Sequence, residues 1–164
     1  MIYIHNSALV FHGNLKSSNC VITSRWMLQI TDFGLHDLRH CAESSGSVGE
    51  HQYYRSLFWK SPELLRDPNI YGTQKGDIYS FAIILYEICG RKGPFGSQEY
   101  EPIQIIDFVR DLPNEEKPFR PDIECLAESD NAPEYVISCI QDCWSENPEI
   151  RPDFPCIRYD IKNR

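Results

Sequence analysis

Apolar residues along this chain gather at helical spacing beyond residue 77 and thin out between residues 35 and 59. The clearest run, Asp77 to Cys89, carries Ile78, Phe81, Ala82, Ile84, Leu85 and Ile88, with Asp77 as its expected N-cap and Gly90 as its expected C′ residue. A helix apolar on nearly every side belongs inside a core, even though Ser80 and Glu87 interrupt this one. Pro102 suits a first helical position. Ile103, Ile106 and Val109 follow it at three-residue spacing, which predicts an amphipathic helix over Pro102 to Asp111, closed off by Pro113. The same spacing predicts a helix over Pro133 to Trp144, with Val136, Ile137, Ile140 and Trp144 inward. It predicts another over Asp153 to Ile161, with Phe154, Ile157 and Ile161 inward.

The first third of the chain reads differently. Met1 to His5 has no N-cap before it and looks like the last turns of a helix. Short β-type stretches follow at Val10-Phe11, Cys20 to Ile22 and Met27 to Ile30, separated by Asn14, Ser17, Ser18 and Ser24. From Leu35 to Trp59 the chain is polar and aperiodic, which predicts a long loop. Leu112 to Ile123, with Pro113, Pro118 and Pro121, predicts an extended connection. The sum is one domain over residues 1–164, mainly α, with a few short strands and no internal repeat.

Composition supports a packed domain, with 41% hydrophobic and 12% aromatic residues. A formal charge of −8 argues against a nucleic-acid or anionic-membrane footprint, since both need clustered Lys and Arg. The 7 cysteines (Cys20, Cys41, Cys89, Cys125, Cys139, Cys143, Cys156) lack paired CxxC spacing, so neither a disulfide framework nor a zinc site is implied, and reduced, mostly buried thiols are expected. No secretory signal is legible near Met1, and no apolar run approaches the roughly 18 residues of a membrane span, so direct membrane insertion by this chain is not expected.

Two stretches carry candidate chemistry: His12-Gly13-Asn14-Leu15-Lys16-Ser17-Ser18-Asn19 and Asp32-Phe33-Gly34. They resemble the catalytic loop and the magnesium-binding tripeptide of protein kinases. Alone the tripeptide is a weak signal, but three further landmarks follow in order. Ser61-Pro62-Glu63 stands where kinases end the activation segment. Asp77-Ile78-Tyr79-Ser80-Phe81-Ala82 resembles the start of the central helix of the large lobe. Cys143-Trp144 followed by Pro148 and Arg151-Pro152 resembles a tyrosine-kinase-like signature.

This resemblance implies a protein-kinase-like C-terminal lobe. Asn19 and Asp32 would supply the oxygen ligands for Mg²⁺ on ATP phosphates. Glu63 and Arg151 would form a buried ion pair pinning the activation segment, and Asp77 would accept backbone N–H bonds from the catalytic loop. His12 would pack against Phe33 and backbone rather than bind metal, and Trp59 and Trp144 would belong to the core.

Two departures matter. Where an active kinase has the aspartate that accepts the substrate hydroxyl proton, this chain has Asn14, and an amide cannot take that proton. Gly13 replaces the arginine that clamps an activation-loop phosphate, so phosphate-driven ordering around Ser44, Ser45, Ser47, Tyr53 and Tyr54 loses its counter-charge. Thus none of Asn14, His12 and Lys16 is expected to be catalytically active.

The exact run through Asn19-Cys20, with Leu57 to Leu65 and Gly93-Pro94-Phe95, is similar to the kinase-homology domain of receptor guanylate cyclases. That likeness implies a cytosolic pseudokinase region beneath the plasma membrane, which binds ATP and controls cGMP synthesis by an attached cyclase domain and its dimer partner. The glycine-rich loop, the strand lysine and the helix glutamate of a small lobe are not found in this sequence, nor is a cyclase domain. ATP and Mg²⁺ are therefore expected to bind this chain weakly or not at all by itself. A weakly active Ser/Thr/Tyr kinase and a ligand-free interaction scaffold are the alternative readings.

Overall fold

A computed structural model describes residues 1–34, 49–96, 99–111, 118–128 and 132–163. Ser44, Ser45, Ser47 and Cys41, and the first half of the proline-bearing connection, lie outside the described residues. The chain opens with α1 (Ile2–His5), a 3₁₀ turn at Ser17–Asn19, and the antiparallel pair β1 (Cys20–Ile22) and β2 (Leu28–Ile30). Cys20 pairs with Ile30 and Ile22 with Leu28. The helices α2 (Glu50–Ser56), α3 (Pro62–Arg66), α4 (Gln74–Gly90), α5 (Pro102–Asp111), α6 (Glu124–Glu128), α7 (Glu134–Cys143) and α8 (Phe154–Lys162) follow. This is the helical large lobe of a protein-kinase-like fold, and among the described residues its strands lie beside the catalytic-loop motif.

Helix α4 is the axis of the molecule, and α6 and α7 pack on it. Its Ile78, Tyr79, Ala82 and Ile83 are buried among Leu15, Leu126, Ile140, Trp144, Phe154 and Ile157. Each such large side chain removed from water contributes about 1.5–3 kcal/mol before entropy is counted. A second core of Phe58, Phe95, Ile105, Ile106 and Val109 lies where α5 meets α2 and α3.

Several sequence expectations are corrected by this packing. The N-cap of α4 is Thr73, whose Oγ1 accepts from Gly76 N–H at 2.8 Å; Asp77 lies inside the first turn, and Arg91, not Gly90, takes the left-handed C-terminal position with φ 54°. Val10-Phe11 is no strand, because Val10 has φ 64° and turns the chain. The expected loop before Trp59 contains α2. Ile105 rather than Ile103 faces the α5 core, and Ile88 and Ile161 are exposed. Of the described cysteines only Cys143 is buried and Cys156 is exposed, so these thiols, none of them in a disulfide, are not mostly buried. No helix among the described residues is long and apolar enough to cross a membrane.

Candidate functional site

The site is assembled around one buried carboxylate. Asp77, 2% exposed, accepts from His12 N–H at 2.7 Å and from Gly13 N–H at 2.9 Å, and its Oδ2 meets His5 Nε2 at 2.8 Å. A charge this deep is tolerable only when its lone pairs are matched by donors; the two backbone donors fasten the loop to α4, and His5 fastens α1 to it. Gly13 holds φ 74°, a left-handed backbone that glycine adopts without strain.

His12 is fully buried and both its ring nitrogens are committed. Nδ1 accepts from Asn14 N–H at 3.2 Å, which requires the neutral tautomer whose Nε2–H donates to Thr31 O at 2.9 Å. Its ring meets Phe33 edge-on at 6.2 Å. It is therefore a spacer between the loop and the strand end, with no nitrogen available to a metal.

Asn19, buried at the end of the 3₁₀ turn, donates through Nδ2 to Asn14 O at 2.8 Å. Its backbone carbonyl accepts from Thr31 N–H at 2.9 Å, which sets Asp32, the next residue, beside the same turn. Asp32 holds φ 63°, a left-handed conformation that aspartate tolerates better than most residues. Asn19 and Asp32 thus stand at the two ends of one backbone hydrogen-bonded connection, and each carries a hard oxygen of the kind magnesium takes. Lys16 is half-buried, and its carbonyl starts the same turn by accepting from Asn19 N–H at 3.0 Å.

The ion pair at the base is bidentate, with Arg151 Nη1 and Nη2 donating to Glu63 Oε1 and Oε2 at 2.7 and 2.8 Å. Arg151 is 1% exposed and also donates to the carbonyls of Ser145 and Lys75, at 2.8 and 2.9 Å. Burial pushes the Glu63 carboxyl up, but the hydrogen bonds and charge of Arg151 outweigh it and hold the group below the ordinary glutamate range. The guanidinium groups of Arg120 and Arg151 lie 5.2 and 5.4 Å from the centre of the Tyr79 ring, which ties α4 to the same base.

One connection is invisible in the motifs. Glu87, which in the sequence only interrupts an apolar helix, accepts from Trp59 Nε1 at 2.8 Å and from Ser17 Oγ at 3.2 Å. It joins the turn that carries Asn19 to the end of the activation segment, so Trp59 is a half-buried bridge, whereas Trp144 is buried core. Burial pushes its carboxyl up, and the two hydrogen bonds offset that only in part. A lone carboxylate among apolar positions is the signal that could have found it.

The profile of the family described as protein tyrosine and serine/threonine kinase matches residues 1–161. The chain belongs to the protein kinase domain family. It is 63% identical over 139 residues, 84% of its length, to receptor-type guanylate cyclase Gyc76C of Drosophila melanogaster. It is 50% identical over 128 residues, 74% of its length, to receptor-type guanylate cyclase gcy-28 of Caenorhabditis elegans. Atrial natriuretic peptide receptor 2 of Anguilla japonica is 48% identical over 136 residues, 78% of the chain. Within the kinase family this is the kinase-homology domain of the receptor guanylate cyclases. The chain spans 9%, 10% and 12% of the lengths of these three relatives.

Proposed function

We propose that this chain is the large lobe of a regulatory pseudokinase that governs cGMP synthesis by a cyclase domain of the same, longer polypeptide. The observation that carries the reading is Asn14. The loop around it is fastened by Asp77, His12 and Asn19, yet the position of the proton acceptor is a carboxamide. General-base catalysis is worth about 10²–10⁴-fold, so the fold retains the shape of the site without its turnover.

Asn19 and Asp32 are the residues that would hold Mg²⁺ and, through it, ATP phosphates, whose bound state then acts by conformation. The rest of the nucleotide cleft would come from a small lobe elsewhere in the polypeptide, and membrane attachment and dimerisation from other segments again. The small share of the relatives' length that this chain spans supports that division.

Cyclase output is the test. In the complete membrane receptor, a non-hydrolysable ATP analogue should change cGMP synthesis as ATP does, and Asp32→Ala should abolish the effect of both. An effect confined to hydrolysable ATP would contradict the reading, since it would require phosphate transfer.

A further inference from the structure

A groove of about 650 Å³ runs between α7 and α8, well away from the catalytic loop in sequence, with Ile150 of the Pro148–Ile150 turn in its lining. We propose that it docks a cationic amphipathic helix carrying Lys or Arg two turns apart around branched aliphatic anchors. The walls dictate that chemistry. Glu134 and Asp142 stand at either end of one ridge of α7, about 12 Å apart along its axis at 1.5 Å per residue, and Asp160 faces them from α8. No lysine or arginine lines the groove, and none of the three carboxylates belongs to an ion pair among the described residues.

Ser138 sits midway along the ridge between Glu134 and Asp142, and the apolar part of the lining is open to water: Ile150 is 68% exposed, Ile161 42% and Tyr135 38%. Exposed isoleucines flanked by a tyrosine and rimmed by charge are what a groove for an amphipathic helix presents, with aliphatic anchors seated between the walls and charges meeting at the rim. Two turns of a ligand helix rise about 10.8 Å, close to the spacing of Glu134 and Asp142. A second copy of this chain brings the wrong sign, since its formal charge is −8. The groove shares none of its residues with the Asn14, Asn19 and Asp32 cluster, so the proposal stands apart from the nucleotide reading.

The experiment uses the full chain and a synthetic Leu/Lys helix with lysines two turns apart, titrated by calorimetry and mapped by amide chemical shifts. The expected result is binding that weakens with added salt, shift changes along α7 and α8, and an affinity about five- to tenfold lower in Asp142→Asn/Asp160→Asn. Ile161→Ser should weaken binding without altering its salt dependence. Asp107→Asn/Asp111→Asn, the same charge change on the solvent side of α5, should leave the affinity nearly unchanged. The proposal is overturned if the α5 pair weakens binding as much as the groove pair, or if a Leu/Glu analogue binds equally well. It is also overturned if the shifts fall elsewhere, or if the groove pair abolishes a self-association of the chain.

Discussion

At the residue scale the Glu63–Arg151 pair makes the stability of the lobe sensitive to acid. Because the Glu63 carboxyl lies below its ordinary value in the fold, the unfolded chain binds the proton more readily. The stability it supplies is complete above the ordinary glutamate pKa of about 4.3 and is lost as pH falls through the lowered folded value. Urea unfolding of Glu63→Gln should therefore show a flatter pH dependence than the wild type below about pH 5. Arg151→Met should cost about 3–5 kcal/mol at neutral pH, because it strands Glu63 against the base of the lobe.

Glu87 has the opposite sign. Its raised carboxyl favours protonation in the fold, so its contribution is most favourable below the unfolded pKa and fades as pH rises through the folded one. Glu87→Gln keeps an oxygen for Trp59 Nε1 and should raise stability at neutral pH while leaving it unchanged in acid, as read by the midpoint of urea unfolding.

At the element scale, the close approach of α3 to α4 is the contact most sensitive to volume. A Cβ on Gly76 would stand 2.7 Å from Leu64 Cδ1, with Thr73 Oγ1 and Ser61 Oγ at 3.2 and 3.3 Å. Helix propensity favours alanine over glycine by about 1 kcal/mol, but crowding a packed contact costs about 1–3 kcal/mol. Leu64 is buried and has little room to yield, so Gly76→Ala should lower the thermal midpoint rather than raise it.

The elements most legible from sequence were those long enough to show a period. Helices α5, α7 and α8 fall within about a residue of their predicted bounds because each has two or more turns of spaced apolar positions. Helices α2, α3 and α6, at 7, 5 and 5 residues, are too short for a period to emerge, and tertiary contacts hold them instead. The capping of α4 was misread for a related reason. Thr73 and Asp77 are both good N-cap residues, and only the position of the catalytic loop assigns one to the helix end and the other to His12 and Gly13.

At the scale of the whole molecule, Asp77, Glu87 and the Glu63–Arg151 pair fasten the catalytic loop and the end of the activation segment to a single buried helix and its base. That is rigid support for the loop in which, on the proposed reading, Asn14 takes the place of the proton acceptor. The motifs made His12, Asn14, Asn19 and Asp32 visible in the sequence, because fixed spacing along the chain records them. His5 and Glu87 were not legible, since their partners lie 72, 28 and 70 residues away in sequence.

The proposed function requires a lobe held in kinase shape without a proton acceptor. The direct measurement is transfer of the γ-phosphate from Mg-ATP by the complete receptor, wild type against Asn14→Asp. The account predicts negligible transfer by the wild type and a rise of about 10²-fold or more in the variant, provided that the small lobe and metal ligands are in place. Transfer by the wild type at a rate that Asn14→Asp does not raise would contradict it.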